Sequence, residues 1–368
     1  MPISDLVLYM FIFIGSIHLG YGLYFLVGLS NETSATENNE AVSVIVAARN
    51  EKDNLQKLIP SLFSQEYADF EVVIALNGTS DGSLEMLTDF QEKYKNLKII
   101  NIQSVPPGIH PKKFALNSAI EVSKNDIILL TDADCIPTSE RWISKMANRF
   151  SGTDQIVLGY SPYISGKGLI HYFTQFDTML TAIQYISSAQ NGHPYMGVGR
   201  NMAYRKSFYM ENGGFGKFEH VVGGDDDLFV NQNASKLNTK VQWDPASFVY
   251  TKPELTFKGY FQQKLRHISV GRHYRLKSKI FLGLFSLTHS SLFVVAIASI
   301  FLTINLTFIF LIFVLAYLPF LISFSVFRKK TNNNFPLALV ILIDVVFTFF
   351  YIFVGIQAMF TKRIEWTN

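Results

Sequence analysis

Four long stretches of this chain carry almost no charge, and they limit what it can fold into more than any other feature. Leu6 to Leu29 runs 24 residues without a formal charge. Ile280 to Thr303 is another 24, Asn305 to Phe327 a further 23, and Leu337 to Phe360 holds only Asp344. About 20 apolar residues cross the roughly 30 Å hydrocarbon core of a bilayer, so all four are candidate transmembrane helices. The first has no Lys or Arg before it, too long an apolar run for a signal peptide and no small-residue cleavage site after it, which reads as an uncleaved anchor. Asp344 inside the last stretch carries an insertion cost of about 2.5–3.5 kcal/mol. It is expected to pair with polar residues at a helix interface, and His18 and His289 are expected to be packed there or interfacial.

Charge sets the expected topology. Of 32 Lys and Arg, 27 lie between residues 31 and 279, so the central segment is expected on the cytoplasmic side. Arg328-Lys329-Lys330 falls on that side too if the next two spans form a hairpin, but Lys362-Arg363 then falls outside. The conflict marks one apolar segment as interfacial or re-entrant. Cys135 is the single cysteine, which excludes an intrachain disulfide and a cysteine-based metal site.

Between the spans the pattern alternates. After the polar stretch Ser30 to Glu40, Val42 to Ala48 reads as a buried strand and Asn54 to Gln65 as a helix with Leu55, Leu58, Ile59 and Leu62 on one face. Strands follow at Phe70 to Leu76, Leu97 to Ile102 and Asp126 to Thr131, separated by helices at Ser83 to Tyr94 and Lys113 to Val122. Apolar strands alternating with helices predict a mostly parallel sheet covered on both faces. Ligands of such sheets bind at the carboxyl ends of the strands. There this chain places Ala48-Arg49-Asn50-Glu51, Asn77 to Gly82 and Thr131 to Asp134.

Three constellations carry chemistry. Asp132 and Asp134, read as i and i+2 of an extended segment, point the same way and offer hard oxygens to Mg²⁺ or Mn²⁺; Asp134 also fits a helix N-cap. Asp225, Asp226 and Asp227 follow Gly223-Gly224. They fit a helix N-terminus, where the dipole favours anions, or a general base beside the metal. Phe261 to Lys279 is basic, and Gln263 and Arg266 share a helical face suited to a phosphate.

Together these segments resemble the membrane-bound family 2 glycosyltransferases of GT-A fold, nearest to the smaller bacterial and ceramide-glucosyltransferase-like members. VSVIVAARNE resembles the opening strand and nucleotide loop, KKFALNSAI a K-x-x-A-L-N segment and TDADC a metal-binding D-x-D. GVGRNMAYR resembles an acceptor-side segment, GGDDDL the later acidic motif and QKLRH the Q-x-x-R-W motif. The resemblance implies an anchor at 1–30, a linker at 31–40, a GT-A domain at 41–260, a basic interfacial helix at 261–279 and about three C-terminal spans at 280–368. It also implies an inverting, metal-dependent transferase at a bacterial inner membrane, with its catalytic domain in the cytoplasm. A UDP- or GDP-linked sugar would be moved to a lipid or lipid-linked acceptor, with no nucleic acid involved. Donor contacts would come from Ala48, Arg49, Glu51, Asn77, Lys113, Asp132, Gln263 and Arg266, the metal ligands would be Asp132 and Asp134, and the base Asp225, with Asp226 its nearest rival. Two positions depart from the pattern: Leu76-Asn77 replaces an acidic residue after the second strand, and His267 replaces the tryptophan. A metal-dependent nucleotidyltransferase and a non-catalytic membrane partner subunit are the alternative readings.

Overall fold

A computed structural model describes residues 3–31, 37–301 and 305–360. In chain order its helices begin with α1 (Ile3–Ser30), α2 (Lys52–Phe63), α3 (Ser83–Lys93), α4 (Pro111–Val122), α5 (Trp142–Ala147) and α6 (Leu169–Gln190). They continue with α7 (Lys206–Glu211), α8 (Asp227–Asn233), α9 (Phe257–Val270), α10 (Leu276–Ser299), α11 (Leu306–Lys330) and α12 (Val340–Phe360). The first strands are β1 (Val42–Ala48), β2 (Phe70–Asn77), β3 (Leu97–Ile102), β4 (Ile127–Leu130) and β5 (Ile136–Pro137). The rest are β6 (Ile156–Gly159), β7 (Met202–Arg205), β8 (Thr239–Gln242) and β9 (Val249–Tyr250). The chain groups into two units: Thr33–Ser165 with Gly192–Pro253, and Met1–Glu32 with Gly166–Asn191 and Glu254–Ile364.

The first unit is built on a seven-stranded sheet in the order β3-β2-β1-β4-β7-β6-β8. The four strands from β3 to β4 are parallel, as their unbroken apolar runs require. Leu55, Leu58, Ile59 and Leu62 of α2 are fully buried, so the helical spacing in the sequence marks the covering face correctly. β7 breaks the pattern by running antiparallel between β4 and β6, with Met202 opposite Leu130. The segment entering β7 therefore arrives at the rim where β4 ends. Connections leave β1 toward β2 and return from β3 to β4 on its other side. That makes the carboxyl ends of β1 and β4 the switch point of the sheet.

The second unit holds four helices long and apolar enough to cross a membrane: Asp5–Ser30, Leu276–Ser299, Leu306–Lys330 and Leu337–Ala358. Phe13, Phe310 and Phe353 stand well exposed on them, a surface suited to lipid rather than water. α1 lies close against α11 because Gly15 and Gly22 have no side chain. A Cβ at Gly22 would come within 2.9 Å of the Phe320 backbone.

Contacts within this unit fix the helix directions. Gly15 meets Ala316, Gly22 meets Phe320, and the Lys330 ammonium bonds the Leu29 carbonyl at 2.9 Å, so α1 and α11 run the same way. His18 packs on Phe285 while Tyr24 packs on Phe281, so α10 runs the opposite way. α12 pairs Asp344 with His289 of α10, and Ala358 with Arg272 just before α10 begins, so it too opposes α10. α11 and α12 are therefore parallel rather than a hairpin. The order of helix directions thus departs from simple alternation between α11 and α12; Lys362-Arg363 lie outside the described residues.

The return between these helices has little helix to satisfy its backbone, a serious demand in apolar surroundings. Side chains supply the partners. Phe335 N–H donates to Asn333 Oδ1 at 2.8 Å, the Phe335 carbonyl accepts from Arg328 at 3.3 Å, and Pro336 has no N–H to satisfy. Asp344 is held as expected, by His289 Nε2 at 2.9 Å and by the Tyr317 hydroxyl at 2.6 Å. A second buried carboxylate, Asp177 of α6, ion-pairs with Lys264 and accepts from Tyr260 at 2.6 Å and Tyr351 at 3.1 Å. It ties α6 to both α9 and α12.

Single cysteines introduced as Asn31→Cys and Phe360→Cys are expected to react with a membrane-impermeant maleimide from the same side, and Phe301→Cys from the other. The buried Cys135 gives little background. Labelling of positions 31 and 360 from opposite sides would sink the parallel arrangement.

Candidate functional site

At the switch point the first unit gathers five carboxylates and two cations. β4 ends at Leu130, and Asp132 and Asp134 follow it in a tight turn closed by the Cys135 N–H donating to the Asp132 carbonyl at 3.2 Å. The expected extended geometry is thus replaced by a turn, yet ligand atoms of Asp132, Asp134 and Cys135 lie within 4.8 Å of one another. Asp134 accepts from the Thr251 hydroxyl at 2.9 Å, just past β9. Burial pushes the Cys135 thiol well up, and the neighbouring Asp132 and Asp134 push it further. A neutral buried thiol is a poor ligand for a hard cation, so of these three side chains the two aspartates are the ones that could hold one.

Lys112, at the start of α4, joins the two acidic motifs. Its ammonium lies 3.0 Å from Asp132 and 2.9 Å from Asp225. Burial opposes its charge, but Asp132 and Asp225 outweigh that and hold its pKa well above the ordinary lysine value. Burial likewise pushes Asp225 up, and Lys112 reverses this and leaves it below the usual carboxylate range. Asp225 is therefore ionised and aimed into the cluster.

Its neighbour Asp226 does different work. One of its oxygens accepts from the Gly199 N–H and the other from the Asp227 N–H, both at 2.8 Å, so it caps α8 and holds the loop before β7. Burial and the adjacent Asp225 push its pKa up. Gly223 and Gly224, both at positive φ, allow the chain to turn into this position. Asp227 is buried at the first position of α8.

The remaining expected residues divide. Ala48 closes β1, Arg49 is exposed beyond it, and Asn77 closes β2 at the same rim. Glu51 is half-buried and hydrogen-bonded by Asn54 at 2.6 Å; burial raises its pKa, with Asp134 and Asp132 adding to the effect. Lys113 is not part of the cluster. It is buried and donates to the Phe218 carbonyl at 2.6 Å and the Val221 carbonyl at 3.0 Å, holding the loop that leads to Asp225. Counting back three residues from Ala115, as K-x-x-A requires, lands on Lys112. Gln263 and Arg266 share one face of α9 as expected, in the other unit.

Arg200 was not foreseen. It enters the rim on the segment before β7, its guanidinium 5.2 Å from the centre of the Tyr163 ring. Burial lowers its pKa, but Tyr163, Cys135, Asp132 and Asp134 more than compensate and keep the charge in place. Asn201 fixes this segment: its side chain accepts from the Trp142 indole at 2.9 Å and donates to the Tyr160 and Ser247 carbonyls at 2.8 Å. GVGRNMAYR contains both residues, but only the antiparallel β7 brings Arg200 to Asp132.

The charge pairing makes a pH prediction. Asp225 has a lowered folded-state pKa, so its contribution to stability is complete above the ordinary carboxylate value of about 3.9 and is lost as pH falls through the lowered one. Lys112→Met lifts that pKa and should leave the protein roughly 3 kcal/mol less stable at neutral pH. Thermal unfolding between pH 7 and 3 should show the variant's acid limb displaced upward; an unmoved limb would refute the ion bridge.

Residues 7–368 match the model of glycosyl transferase family 21. The glycosyltransferase AglE of Haloferax volcanii is 34% identical over 120 residues, 32% of this chain and 38% of AglE. The UDP-Glc:alpha-D-GlcNAc-diphosphoundecaprenol beta-1,3-glucosyltransferase WfaP of Escherichia coli is 28% identical over 134 residues, 36% of this chain and 49% of WfaP. The aligned stretches thus span less than half of each of these relatives. The mannosyltransferase PcManGT of Pyrobaculum calidifontis, solved with GDP-Man and Mn²⁺, shares the fold over 97% of this chain and 100% of its own length, at TM-score 0.62 and 15% identity.

Proposed function

This chain belongs to glycosyl transferase family 21, and on that premise we propose that it moves a sugar from a nucleotide-sugar to a lipid or lipid-linked acceptor at a membrane surface, inverting the anomeric centre. The observation that carries the reading is the Lys112 bridge. Two acidic motifs 93 positions apart in the sequence meet on one ammonium at the switch point of an α/β sheet.

Asp132 and Asp134 fit a divalent cation such as Mn²⁺ or Mg²⁺, being paired hard oxygens within reach of one point. Such an ion supplies neutralisation of the charge that builds on a departing nucleoside diphosphate. Lys112 and Arg200 add fixed positive charge at the same rim, where it favours a leaving group that gains negative charge. Asp225 is ion-paired with Lys112 and, unlike Asp226, does not cap α8, so we assign it as the base that takes the proton of the acceptor hydroxyl. Inversion would then require the acceptor oxygen, deprotonated by Asp225, to bond the anomeric carbon opposite the departing diphosphate, which leaves with the electron pair of the broken bond. Asp226, spent on two backbone N–H groups, holds the loop. Gln263 and Arg266 keep a share in donor binding on the strength of the QKLRH motif alone.

A membrane location is supported by the four apolar helices, and a lipid-linked acceptor by the similarity to WfaP, whose acceptor is a diphosphoundecaprenol-linked sugar. We place the first unit in the cytoplasm because 27 of the 32 Lys and Arg lie between residues 31 and 279.

The test is a panel of UDP- and GDP-sugars with Mn²⁺ or Mg²⁺ and membrane lipids. A nucleoside diphosphate should be released, and turnover should stop on chelation and return with added metal. Asp225→Asn should lower kcat by about 10²–10⁴-fold while leaving donor affinity nearly intact. Release of pyrophosphate from a nucleoside triphosphate would mean a nucleotidyltransferase instead. Loss of donor binding in Asp225→Asn with chemistry retained would mean that the base is misassigned.

A further inference from the structure

At the end of α11 the chain forms a polar crevice that the transfer reaction does not use. It has a volume of about 330 Å³ and is lined by Ser325, Arg328, Lys329, Asn332, Asn333 and Asn334. No carboxylate lines it, and neither Arg328 nor Lys329 forms an ion pair among the described residues. Arg328 spends one guanidinium nitrogen on the Phe335 carbonyl, while its Nε is buried without a hydrogen-bond partner.

The backbone makes the shape. Asn332 adopts a positive φ of 52°, which turns the chain directly after α11. The Asn333 N–H bonds back to the Arg328 carbonyl at 2.9 Å, and Asn333 Oδ1 is taken by the Phe335 N–H. Lys329, Asn332 and Asn334 are exposed, and their side chains contribute hydrogen-bond donors and one full positive charge around the opening.

Position selects the ligand. A helix of 25 residues spans about 37 Å, more than the roughly 30 Å of a hydrocarbon core. The last turn of α11 therefore reaches the headgroup layer when the helix crosses a bilayer. There a donor-rich pocket with two unpaired cations and no acid matches a phosphate.

We propose that this crevice binds the phosphate group of an anionic membrane lipid. The inference rests on the membrane placement of the apolar helices and not on the transferase reading, so either can fail alone.

The test uses the full chain in nanodiscs of phosphatidylcholine alone or with phosphatidic acid, with bound lipid counted by native mass spectrometry after mild detergent release. Phosphatidic acid should be retained over phosphatidylcholine. Lys329→Gln should weaken that preference by about fivefold, the worth of one cation at an anionic surface. Ser325→Asp, which sets a carboxylate inside the crevice, should abolish it. Both positions avoid the Arg328 bond to Phe335, so folding is spared, and circular dichroism of the variants checks this. Equal retention of both lipids, or a preference unmoved by both variants, overturns the proposal. Millimolar inorganic phosphate is the second arm: if it protects the protein thermally without lipid and displaces phosphatidic acid completely, the site reads free phosphate and the lipid assignment fails.

Discussion

Carboxylates gathered at the end of a buried sheet have to be neutralised, and everything at this rim is arranged around that demand. Glu51, Asp132, Asp134, Asp225 and Asp226 converge where β1 and β4 end. Lys112 answers two of them directly, Arg200 lends its charge to the turn after β4, and backbone N–H groups absorb Asp226. The remaining negative charge at Asp132 and Asp134 suits a divalent ion. Lys112 occupies the middle of that field, held by Asp132 and Asp225 at once.

Much of this was legible in the sequence because the first half of the chain follows simple rules. Continuous apolar runs gave β1 and β3 with their observed ends, and the leucine spacing of α2 marked its buried face. The Asp132/Asp134 and Asp225 motifs were placed at strand and loop ends, where the sheet collects them. Three things were hidden. The antiparallel β7 carries only four residues, and no local pattern tells parallel from antiparallel at that length. α6 escaped because Thr, Gln, Asp and Ser interrupt its apolar residues, although most of the helix is buried against partners distant in sequence. Lys112 and Lys113 are adjacent, and which ammonium reaches the carboxylates depends on the rotation of α4 about its axis.

The apolar helices show a second way of handling charge. Where the sheet rim leaves Asp132 and Asp134 partly open, the helical unit encloses Asp344 and Asp177 and gives each of their oxygens a partner. Each of the four long apolar helices sends one polar ring or carboxylate to the first of these knots: His289, Tyr317 and Asp344 are bonded together, and His18 stacks beside them. Apolar packing alone distinguishes poorly between helix registers in lipid, so a buried polar match of this kind selects one alignment of the four.

The Asp177 knot has a mechanical meaning as well. Its carboxylate, on α6, holds Lys264 and Tyr260 of α9 and Tyr351 of α12 at once. Sliding α9 alone would strand a buried negative charge, a penalty large enough to keep that state scarcely populated. Any displacement of the face that carries Gln263 and Arg266 is therefore carried by α6, α9 and α12 moving together, and its slowness is that of a rigid body rather than of a loop.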